Sequence, residues 1–532
     1  MFRPRTCQSL PTVCRRPSPV TPSTRSQSNP GFLRLTLACL LAVSLLPLTG
    51  PDTSAQTGDM GPGLQRAALG LGPIQQRDLE EMMSVLASER YAGRLTGTAG
   101  YDLAARWGAE RFRAAGLVPG GADGSWYQPF QVEACKVTGP MELRVVRADW
   151  VEAPYTFGDD YVARGFTGSG RVEDAPVVYV GWGLQDRTLG RDDYTGAAVR
   201  GKVALMFMGA PPGADWGEKS RPRSKATLAA RLGARAILFI DDPGTDAPSP
   251  IVSVYHGQEG SHQPDLPLLS IRNRVADDLL RGTGHTAADL RSALVEGQKV
   301  ESFELPVHIT LEAHAEYRAA APTWNVIGWI EGSDPTVADE WVVVGGHLDH
   351  VGSQAGIVFP GARDNASGSV MVVALAQAMA AAPIRPRRSV CFVLFAGEEL
   401  FLLGSEYFAT HAPRPLDHCA GMINLDMPGG GDALRVMGGA STPEFQQMVV
   451  EADRLFGGFG LAEQRPTPAV AGASDHSAFV ERDVPTLYIA AAGGPSVRAH
   501  TAADRIDTID YEAFTRTARV VYLTLFQMAD RP

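Results

Sequence analysis

Cysteine is scarce and poorly placed for either of its usual structural uses. The 532-residue chain has six; Cys7, Cys14 and Cys39 precede residue 56, leaving Cys135, Cys391 and Cys419, odd in number and far apart. That excludes a disulfide framework and a thiolate zinc site. Cys391 and Cys419 lie in apolar runs and read as small buried hydrophobes. An excess of positive charge is also lacking: 48 Lys and Arg against 59 Asp and Glu give a net −11, which argues against a nucleic-acid partner held by bulk charge. Apart from residues 35–48 there is no long apolar run, and none reaches the roughly 20 residues of a membrane span. No stable membrane insertion of the mature chain is therefore expected. No internal repeat is present. With 44% hydrophobic and 20% charged residues, the composition excludes collagen-like, coiled-coil and wholly disordered classes. At about 150 residues per domain the length allows two to four domains.

Charge is unevenly spread. Residues 1–55 carry six arginines and one acid, a net +5, which leaves −16 for the rest. A basic, Pro- and Ser-rich stretch, Arg34, the apolar run 35–48 and the small residues Thr53-Ser54-Ala55 have the order of a secretory signal peptide. Cleavage near Ala55 and export to the cell exterior or periplasm are expected. Residues 56–75 read as a polar lead-in. Residues 101–116 have helical spacing with Gly116 as the stop, and 126–152 alternate like strands. From 154 to about 310 the texture changes to short apolar strands (177–180, 203–207, 236–240) between Gly- and Pro-rich loops. From 324 onward strands and helices alternate: strands 341–344, 389–395, 421–425 and 486–490, helices 366–381, 403–411, 443–456 and 511–528. Near-continuous apolar strands in such an alternation predict an α/β fold with a central, mostly parallel sheet flanked by helices. The expected domains are 1–55 presegment, 56–153 the first part of the main domain, 154–310 a small β-rich insert, and 311–532 the rest.

Open α/β sheets bind ligands beyond the carboxyl ends of their strands, and those ends are rich in chemistry. Strand 341–344 leads to His347-Leu348-Asp349, and the following loop ends in Arg363-Asp364-Asn365. Strand 389–395 ends in Ala396-Gly397-Glu398-Glu399, strand 421–425 in Asp426, and His500 follows the last strand. Imidazole and carboxylate donors suit zinc. Two zinc ions are expected, one on His347 and Asp426, the other on Glu399 and His500, with Asp364 bridging. Asp349 is placed to hold the second ring nitrogen of His347. Glu398 points away from its neighbour and is free to act as general base.

These segments resemble the signature set of the family-twenty-eight metallopeptidases: Gly346-His347-Leu348-Asp349-His350, residues 362–368, 395–400, Asn424-Leu425-Asp426-Met427 and His500-Thr501-Ala502-Ala503-Asp504. Ser474-Asp475-His476 resembles a further family motif near the substrate cleft. The resemblance implies a co-catalytic di-zinc exopeptidase of the aminopeptidase Y and glutamate carboxypeptidase group, peptide substrates, the ligand and base roles named above, and a cis peptide after Asp364. Residues 154–310, with Asp192-Asp193-Tyr194 and 199–205, resemble a protease-associated domain, an insert that relatives often use as a lid. Its cluster Lys219, Arg221, Arg223 and Lys225 reads either as a site for acidic substrates or, with more weight, as an exposed solvated loop. Tyr255 and His256 are also candidates to reach the cleft. Two positions depart from the family: Ala499 stands where many relatives have a tyrosine, and Arg363 where a second acid is common. The expected activity is aminopeptidase; the rivals are a glutamate-releasing carboxypeptidase, a glutaminyl cyclase and a non-catalytic receptor.

Overall fold

A computed structural model describes residues 61–147, 150–240, 262–456, 458–472, 474–494 and 499–532. The export segment, Cys7, Cys14, Cys39, Tyr255 and His256 lie outside the described residues.

The main sheet has eight strands: β1 (Val118–Pro119), β2 (Tyr127–Val137), β3 (Ala315–Ile330), β4 (Trp341–His347), β5 (Ser389–Phe395), β6 (Cys419–Leu425), β7 (Ala433–Met437) and β8 (Thr486–Ala492). Their order is β1-β3-β5-β4-β6-β8-β7, with β2 also on β3. The central four, β5-β4-β6-β8, are parallel; β3 and β7 pair antiparallel at the flanks. The fold is therefore mixed α/β, as expected.

Alternation along each central strand divides the core into two layers. Val342 and Val344, with Val390, Phe392 and Leu394, face the helices α1 (Pro62–Ala68), α2 (Gln76–Leu86), α3 (Ala99–Ala114), α4 (Gly368–Ala381), α6 (Pro443–Arg454) and α7 (Tyr511–Asp530). Trp341, Val343, Cys391, Val393 and Phe395 face α5 (Leu403–Thr410) and the short helix Ser477–Val480. All ten side chains are fully buried, each worth about 1.5–3 kcal/mol if large and apolar. A sheet covered on both faces explains why its strands lack polar alternation. Among the described helices none is long and apolar enough to cross a membrane.

Two features differ from the sequence expectation. The lead-in contains α1, started by Pro62 and anchored by buried Leu64 and Ala67. The second sheet takes in more chain than 154–310. Its order is Trp150–Pro154, Glu142–Arg147, Phe303–Ala313, Gly170–Tyr179, Val203–Phe207, Ala236–Ile240, Leu268–Ile271, Tyr161–Ala163. Glu142–Arg147 pairs with His308–Glu312, a partner far away in sequence, so no local pattern assigns it to the insert. The chain leaves the main sheet on β2 and returns on β3. These two strands pair from Val137–Ala315 to Tyr127–Val326 and form a stalk. Beyond the stalk, Val162 of the insert packs on Val351 and Phe359, in the segment linking β4 to Asp364.

Candidate metal centre

Strand β4 lies between β5 and β6, so the chain reverses direction across the sheet here. That is where an α/β crevice opens. Backbones approach closely at this point. A Cβ on Gly346 would lie 2.6 Å from the Leu425 carbonyl oxygen, and one on Gly368 2.4 Å from the same oxygen, so both positions require glycine. Short polar side chains tie the loops together. Asn365 donates to the Leu425 carbonyl (2.9 Å) and accepts from the Gly368 and Met427 amides. Asp504 accepts from the amides of Arg363 (2.8 Å) and Asp364 (3.1 Å). Asp349 accepts from those of Glu398 (3.2 Å) and Glu399 (3.3 Å). The peptide Asp364-Asn365 is cis. His500 sits at φ +58°, a left-handed conformation that non-glycine residues adopt at a cost and mainly at functional sites.

The loops so held bring His347, Asp364, Glu398, Glu399, Asp426 and His500 together. Asp364 presents one oxygen to each side: Oδ1 is 3.4 Å from His347 Nε2, and Oδ2 is 3.1 Å from His500 Nε2. His347 Nε2 also lies 3.4 Å from Asp426 Oδ1 and 3.9 Å from Glu398 Oε2. His500 Nε2 lies 2.9 Å from Glu399 Oε2. Ligand atoms therefore form two adjacent groups, His347/Glu398/Asp426 and His350/Asp364/Glu399/His500, each within 4.8 Å. His350 was given no role by the sequence reading, although it stands in the His-Leu-Asp-His segment. The Asp349 carboxylate, expected on the His347 ring, is 3.8 Å from Nδ1; the ring instead donates to the Asp349 main-chain oxygen at 3.2 Å.

Four carboxylates and three imidazoles share this space. Burial alone would hold His347 uncharged, but Glu398, Asp426 and Asp364 push its pKa well above the usual value. His500 is held up at about 11, against burial, by Glu399 and Asp364. Burial, followed by Glu399, Asp426 and Asp475, outweighs His347 and drives Glu398 well above the carboxylate range. Glu399 goes the opposite way: against burial, His500 and His350 hold it well below. The cluster thus carries four carboxylates against three imidazoles, and the donors are those zinc prefers. These residues fit divalent metal ions.

Four further residues lie around the centre. Arg94 is completely buried and donates to the carbonyls of Leu348 (2.8 Å), Leu86 (3.3 Å), Pro360 (2.7 Å) and Gly361 (2.9 Å). Arg363 turns away from the centre to the Thr508 carbonyl (2.6 Å). The Tyr488 phenol, on β8, is pushed up by burial and then by Asp426, Glu398 and Asp364; no tyrosine is needed at Ala499 to put a phenol near these acids. Asp475 is fully buried and raised to about 7 by burial first, against His347. The cluster 219–225 divides: Lys219 is exposed and Arg221 partly so, as expected, whereas the other two are not. Arg223 and Lys225 are buried; Lys219 pairs with Asp186, Arg221 with Glu218, Arg223 with Glu133, and Lys225 donates to the Phe207 and Gly209 carbonyls.

With this geometry established, comparison with known proteins adds similarities of sequence and fold. Residues 325–525 match peptidase family M28. That segment is similar to the M28 peptidases. Every strand end named above lies in it. The chain is 33% identical over 299 residues to leucine aminopeptidase 2 of Trichophyton equinum, an alignment covering 54% of this chain and 50% of that protein. It thus spans about half the length of that curated relative. The fold is shared over more of the chain: an aminopeptidase from Aneurinibacillus sp. strain AM-1 superposes with TM-score 0.59 at 22% identity, covering 88% of this chain and 96% of the other. BSAP, a zinc aminopeptidase from Bacillus subtilis, superposes with TM-score 0.56 at 19% identity, covering 86% and 96%.

Proposed function

We propose that this protein is an exported di-zinc aminopeptidase that removes N-terminal residues from peptides. The observation carrying this reading is the pair of adjacent ligand groups that share Asp364. His347 and Asp426 would hold one ion, Glu399 and His500 the other, with Asp364 between them. Bound zinc supplies an acidified water and a polarised scissile carbonyl. Glu398, beside the first group, takes the proton of the attacking water and returns it to the leaving amine; its raised proton affinity suits that transfer. The surplus carboxylate charge favours a substrate bearing a free ammonium group. Residues 142–313 we read as a protease-associated lid, because Val162 rests on Val351 and Phe359 beside the metal loops. Export is supported by the basic, then apolar, then small-residue order before Ala55.

A substrate panel tests the reading. Aminoacyl-anilides should be hydrolysed and their N-acetylated analogues should not, and a chelator should abolish turnover until zinc is restored. Cleavage of the blocked analogues alone, or of C-terminal glutamate from blocked peptides, would overturn the aminopeptidase assignment.

A further inference from the structure

His350 is fully buried in the second ligand group. Its Nδ1 lies 2.9 Å from Glu399 Oε1 and 3.8 Å from Asp364 Oδ2. Its ring meets that of His500 edge-on, 5.4 Å between centroids. Its main chain is fixed as well: the amide donates to the Arg94 carbonyl at 3.3 Å, and Arg94 Nε donates to Leu348 O at 2.8 Å. Distance alone allows two roles, a further zinc ligand or a donor to the Glu399 carboxylate.

The other ring nitrogen separates them. A ligating histidine has its second nitrogen protonated and donating to a carboxylate, carbonyl or water. His347 meets that condition through Asp349. His350 Nε2 is buried with no hydrogen-bond partner among the described residues. If Nδ1 bound a metal, the proton would sit on Nε2, and a buried donor without an acceptor costs about 1–3 kcal/mol. With the proton on Nδ1, Nε2 is left as an acceptor without a donor, but the ring gains a charge-assisted hydrogen bond to Glu399 Oε1 at 2.9 Å. Glu399 Oε2 is then the oxygen left toward His500, 2.9 Å away.

We propose that His350 is a positioning residue: its Nδ1–H holds one oxygen of Glu399 so that the other faces the second zinc. This inference rests on the di-zinc reading above. The test uses the purified wild-type protein and the variants His350→Ala, His350→Asn and His350→Gln. Zinc affinity is measured by titration against a competing chelator, the cobalt(II)-loaded protein is examined by absorption spectroscopy, and the metal-free melting temperature is recorded. An asparagine amide stands close to where Nδ1 stands and donates, but it is a poor zinc ligand; the glutamine amide reaches past that point. His350→Ala and His350→Gln should weaken the second zinc by about 10–100-fold, the usual effect of losing an outer-shell partner. His350→Asn should retain wild-type affinity and the wild-type cobalt spectrum. If His350→Asn loses as much zinc affinity as His350→Ala while melting like the wild type, or shifts the cobalt spectrum, His350 is a ligand and the proposal fails. It also fails if His350→Ala binds zinc normally. A wild-type protein that holds fewer than two zinc ions would instead overturn the di-zinc reading beneath it.

Discussion

Glu398 and Glu399 are adjacent in sequence and opposite in behaviour. They lie in the bend and turn that follow β5, and one joins His347 and Asp426 while the other joins His350, Asp364 and His500. Their environments move their proton affinities apart, up for Glu398 and down for Glu399, a separation that marks acid–base roles. Glu398→Gln should therefore lower turnover on an aminoacyl-anilide by about 10²–10⁴-fold and leave two zinc ions by elemental analysis. His500→Ala should lower the zinc content itself. If both variants hold full zinc, His500 is no ligand; if Glu398→Gln turns over normally, the base lies elsewhere. These residues were legible in the sequence because strand ends are recognisable without a structure, and acids and histidines stood at four of them and just before one helix. His350 and Arg94 were not, because their partners come from distant loops. Glu399 is 49 positions from His350, and Leu348 is 254 from Arg94.

At the scale of elements, the metal loops are held mainly through main-chain atoms. The 3-10 turn Glu89–Arg94 sits under them and sends in one guanidinium. Burial, the largest influence, lowers the Arg94 pKa to about 10 against the raising effect of Asp504, Asp364, Asp349 and Glu399. Its four carbonyl partners lie on three segments, a use suited to the planar fork of arginine and not to a lysine ammonium. Arg94→Met should cost about 3–5 kcal/mol in urea unfolding, since it leaves buried carbonyls without a donor. Arg94→Lys should recover only part of that. A loss below about 1 kcal/mol would show that water replaces the guanidinium. Elements bounded by breakers were readable to the residue, as with Ser389–Phe395 and Val203–Phe207. The outer half of β3 was not. Residues 315–320 are at least partly exposed on both faces and carry Glu, Tyr and Arg among alanines, so neither strand nor helix periodicity appears. Their structure comes from pairing with β2.

For the molecule as a whole, the question is what fixes the unit built on the second sheet against the main sheet. The stalk gives direction, and one charged contact adds position. Arg223, on the insert helix Pro222–Arg231, meets Glu133 of β2 at 2.9 Å, with side chains only 5% and 13% exposed. His262 of the insert stacks on Tyr317 of β3 at 3.8 Å. A pair this deeply buried gains less from its charges than each loses without the other. Arg223→Ala should therefore destabilise the protein by about 3–5 kcal/mol, because Glu133 stays buried and unpaired. The double variant Arg223→Met with Glu133→Leu removes both charges and keeps apolar volume, so it should restore most of the loss. Urea unfolding of the wild type, both single variants and the double variant gives the coupling directly. If the double variant is as unstable as Arg223→Ala, the junction depends on the shape of the arginine and not on charge balance. If the single variant loses less than about 1 kcal/mol, the value of an exposed pair, water enters the junction and the insert is held by the stalk, the His262–Tyr317 stack and the Val162 contact.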